Sequence, residues 1–211
     1  MSNTEREKII REIVRVFPAS PVPAKVVKFQ DELVSGSASL QAIVAGGGER
    51  GLSPGEGDKT GAFKIFFNRS WPEIKDSHFV MSWLEKGIDM TTYAPFGEPF
   101  YFLAPEAFRY YFPVWMKYCL DSEGQSVSES AGSLCRYLDR GEYAPLRFSE
   151  FDEKFMPFSE AQKVVVARFL SHVAKVFPAD EGGKEAKSAY DSCWHQFDTE
   201  KPSPTQDRLS S

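Results

Sequence analysis

Phe100–Leu120 reads FYFLAPEAFRYYFPVWMKYCL, and nine of its 21 residues are Phe, Tyr or Trp. Aromatic side chains bury the largest areas of any residue type, so this stretch is the natural centre of a core. Pro105 suits the first position of a helix, where a missing N–H costs nothing, and Glu106 follows in the first turn, where a carboxylate favours the helix dipole. Phe108, Tyr111, Phe112, Trp115 and Cys119 then recur at helical spacing and form one apolar face. Pro113 lies inside that pattern and predicts a kink or break near Tyr110–Pro113, because an interior proline removes a hydrogen bond and crowds the preceding turn.

Outward from this centre the pattern stays helical. Ile9, Ile10, Ile13, Val14 and Phe17 make an N-terminal stripe, opened by a Thr4–Glu7 capping box and stopped at Pro18. Pro21 and Pro23 keep the next residues extended. Residues 26–34 and 79–84 read as further helices, and Phe63–Phe67 as a strand or helical turn. Ser126 with Glu129 caps a helix carrying Val127, Ala131, Leu134, Cys135 and Leu138, with Gly141 as its stop. Ser149 with Asp152 caps a short helix bearing Phe151 and Phe155. Ser159 with Gln162 opens the clearest helix, with Val165, Val166, Phe169, Leu170, Val173, Val176 and Phe177 inward and Pro178 after it. Ala186, Tyr190, Cys193, Trp194 and Phe197 form a last stripe. The expectation is a mainly α, single-domain helical bundle over residues 1–197 with little or no strand. Residues 46–61 hold seven glycines and read as a flexible loop, and 198–211 read as a disordered tail.

The run Phe102-Leu103-Ala104-Pro105-Glu106-Ala107-Phe108-Arg109-Tyr110-Tyr111 resembles the signature of an uncharacterised bacterial domain family, in which a Phe-Leu-x-Pro-Glu-Ala-Phe-Arg-Tyr-Tyr motif opens a helix. The segment around Trp71, the helix after Ser126 and the Phe158–Gln162 helix start are similar too. The likeness covers about residues 63–175. It implies a fold and a bacterial cytoplasmic setting, and it brings no activity.

The totals exclude several classes. A net charge of −5 and a pI near 5.4 argue against general nucleic-acid binding. No run approaches the roughly 18 apolar residues of a membrane span, and Met1–Arg6 is polar, unlike a secretory signal. Three widely spaced cysteines make no disulfide framework, which suits a reducing cytosol.

Candidate chemistry is thin. Gly46–Gly51 matches G-x-G-x-x-G, but Ser53-Pro54-Gly55 follows where a dinucleotide site needs a helix start. Asp58-Lys59-Thr60 has a carboxylate where a P-loop needs glycine. His78, His172 and His195 lack metal-ligand spacing, and Cys119, Cys135 and Cys193 sit on apolar faces as small hydrophobes. No cofactor and no metal are expected.

Two polar features remain. Glu106 and Arg109, at i and i+3, suit a helix-surface salt bridge; with Tyr110 and Trp71 they are the candidate lining of a small-ligand or enzymatic pocket. Residues 121–160 carry nine acids against four bases, the whole net charge, and predict an acidic surface at Glu142, Glu150, Asp152 and Glu153. The leading expectation is a non-enzymatic protein that binds another protein through that surface, an immunity-type inhibitor of a basic toxin being its concrete form. The alternatives are the pocket above and a self-associating structural protein.

Overall fold

The computed structural model describes residues 3–24, 65–66, 68–75, 103–121, 132, 134–141 and 148–198. Among the described residues five helices follow in chain order: α1 (Asn3–Val16), α2 (Pro105–Asp121), α3 (Phe148–Phe155), α4 (Glu160–Val176) and α5 (Glu181–Ser192). Short 3-10 turns occupy Trp71–Glu73 and Trp194–Phe197, and residues 134–137 are helical. Among the described residues the only extended pairing is a single bridge at Leu103, so the mainly α bundle expected from the periodicity is what forms. The helices predicted over 26–34 and 79–84, the glycine-rich loop, the Ser126–Glu129 box and the polar tail from residue 199 lie outside the described residues.

α2 is the axis. Phe108, Tyr111, Phe112, Trp115 and Met116 are fully buried along it. Phe108 and Trp115 meet Tyr137 at ring-centroid distances of 5.7 and 5.9 Å, while Phe112 meets Phe155 and Phe158 at 5.7 and 5.5 Å. Of the kink or break expected near Tyr110–Pro113, the break does not form: α2 runs unbroken from Pro105 to Asp121. An interior proline costs about 3 kcal/mol. Burying a large apolar side chain returns about 1.5–3 kcal/mol, and five such residues flank the site.

The remaining helices pack around this axis. α4 starts where Ser159 and Gln162 exchange hydrogen bonds, Ser159 N–H to Gln162 Oε1 at 2.9 Å and Gln162 N–H to Ser159 Oγ at 3.3 Å, the capping box read from sequence. α4 packs on α5 and on α1, which inserts Ile9, Ile13 and Phe17 into the core. The Thr4–Glu7 and Ser149–Asp152 boxes do not cap their helices, since Thr4 and Ser149 already lie inside α1 and α3. α5 begins with a buried pair, Gly182 and Gly183. A Cβ on Gly183 would stand 1.7 Å from the Phe177 carbonyl oxygen, so only glycine permits this tight α4–α5 corner.

Candidate interaction surface

α3 has two unlike faces. Phe151 and Phe155, four apart, turn into the core against Trp194, at 6.2 and 5.9 Å. Lys154 turns in with them. Its amine donates to the Tyr137 hydroxyl at 2.8 Å and lies 4.4 and 4.7 Å from the centroids of Phe108 and Tyr137. The ring contacts and this hydrogen bond hold the side chain inward. Glu150 and Glu153, at i and i+3, are exposed on the other side. The one lysine of the helix is therefore withdrawn from the surface, which leaves its outer face more acidic than the sequence of α3 suggests.

Asp152 has a different environment. Its Oδ1 lies 2.9 Å from Arg140 Nη2, and Oδ2 accepts from the same nitrogen at 3.1 Å. Arg140 also lies over the Phe151 ring at 5.8 Å, and its backbone N–H donates to Ser192 Oγ at 3.1 Å. The pair is partly exposed and sits at the edge of the acidic face. Beside it, Asp139 is buried: Oδ1 accepts from Gly141 N–H at 2.7 Å and Oδ2 from the Ser188 hydroxyl at 2.6 Å. These bonds tie the 139–141 turn to α5. Of the four acids expected to act together, Glu150 and Glu153 share a face, Asp152 is held by Arg140, and Glu142 lies outside the described residues.

Of the residues assigned to a pocket, Trp71 and Tyr110 come together on one segment, whereas Arg109 reaches α3 and Glu106 is exposed. Trp71 Nε1 donates to the Pro18 carbonyl at 3.2 Å, and the Tyr110 hydroxyl donates to the carbonyl of Ala19, so both grip the segment leaving α1. Burial raises the Tyr110 phenol above its ordinary pKa. Next to it, the Tyr111 hydroxyl stands 2.7 Å from the carbonyl oxygens of both Phe66 and Arg69, its single proton shared between them, and burial raises that phenol further. Arg109 does not pair with Glu106. Its Nη1 donates across to the Glu153 carbonyl at 2.9 Å, fastening α2 to α3, and Glu106 is exposed.

The thiols are all free and buried. Burial pushes Cys193 up to about 11, and it raises Cys119 and Cys135 more strongly. His172 is buried in α4, His195 is exposed, and His78 lies outside the described residues. Among the described residues no three His, Cys, Asp or Glu side chains cluster as metal ligands, and no helix is long and apolar enough to cross a membrane.

Sequence reasoning missed Arg140 and Lys154. A signal for the lysine existed, since it falls three residues after Phe151 and next to Phe155 on the apolar side of α3. For Arg140 there was none, because Asp152 is twelve residues away and no helical spacing links the two.

No curated protein and no solved structure matches the chain. A family model does match, over residues 73–197, more than half of the chain and every described element from α2 to the C-terminal 3-10 turn. The chain belongs to the family of unknown function DUF6714.

Proposed function

We propose that this protein works by binding another protein of opposite charge, and that the outer face of α3 is part of the contact surface. The observation that supports this reading is the division of α3. Phe151, Lys154 and Phe155 anchor it in the core, and Arg109 of α2 fixes its backbone at Glu153, while Glu150 and Glu153 project from the other side. Carboxylates fixed on a rigid element steer a basic partner without ordering cost on binding. An immunity-type inhibitor of a basic toxin in a bacterial cytoplasm is the concrete form of this proposal.

The test uses the full chain as bait in an extract of its native host, followed by titration against the captured protein. Complex formation should weaken as salt rises, and Glu150→Lys with Glu153→Lys should reduce affinity by at least about tenfold, mainly through slower association. A partner held equally well by the doubly reversed protein, at low and high salt alike, removes this face from the interaction.

A further inference from the structure

We draw no further inference here: the strongest candidate, the exposed surface strap of residues 18–22 that Trp71 and Tyr110 clasp by its backbone, carries no proposal because nothing in the structure shows what covers it.

Discussion

Lys154 shows how far one side chain can depart from what its neighbours in sequence suggest. It follows Asp152 and Glu153 in an acidic run, yet it is 2 % exposed and lies against the faces of two aromatic rings. Long side chains bury their methylene stems readily, so replacement removes packing as well as charge. Lys154→Ala should cost about 2–4 kcal/mol, combining a lost core volume, a hydrogen bond and two cation–π contacts. A lowered urea midpoint with an unchanged slope is the expected record. The buried acids of the core make a second prediction. Cys193 ionises at about 11 in the folded chain against a reference of 9.0, and Cys119, Cys135, Tyr111 and Tyr190 shift in the same direction by burial. The folded state thus holds these protons more tightly than the unfolded state. Their contribution is complete below pH 9 and is lost as pH rises from about 9 through 11 and beyond. Denaturation midpoints should fall over that interval, and no thiol should react with a disulfide reagent at pH 8 until the protein is unfolded.

At the scale of the element, helix ends and corners carry the specificity. The Ser159–Gln162 box is short-range and therefore visible in sequence, and Ser159→Ala should cost about 1 kcal/mol, readable by thermal denaturation. The α4–α5 corner was not visible in the same way. Gly182-Gly183 inside a helix looks like a weakness by propensity, and only the position of the Phe177 carbonyl reveals why the second glycine is required. Gly183→Ala should destabilise by more than about 2 kcal/mol, because backbone must move. Gly132→Ala is the contrasting case. Its added Cβ would meet the Gly182 Cα at 3.5 Å, an ordinary contact, so the change should be neutral or stabilising by up to about 1 kcal/mol through the helix preference of alanine. Equal losses from both substitutions would refute this account of the corner.

For the whole molecule, the parts legible in sequence were those set by local repetition. The aromatic run of α2, the apolar stripes of α1 and α4 and the stops at Pro18 and Pro178 all follow from spacing along one helix. The helix continues through Pro113 without a break because the local cost of proline is opposed by burial of Phe112 and Trp115 against distant elements, which periodicity does not weigh. The partners of Arg109, Arg140 and Arg168 were illegible for the same reason, as each bond joins residues far apart in the chain. These long-range bonds also rank the helices. α4 buries eight residues, from Val165 to Val173, and contacts both α1 and α5, whereas α1 presents Ile9 and Ile13 from one side and leaves Val14 56 % exposed on the other. A helix held along a single face opens without taking the core with it. Amide hydrogen exchange should therefore show α1 exchanging through local opening, faster than α4, whose central amides should exchange only on global unfolding. Glu12→Arg, which breaks the Glu12–Arg168 ion pair to α4, should accelerate exchange in α1 alone. Acceleration spread equally through α4 and α5 would mean that the N-terminal helix opens only together with the rest of the bundle.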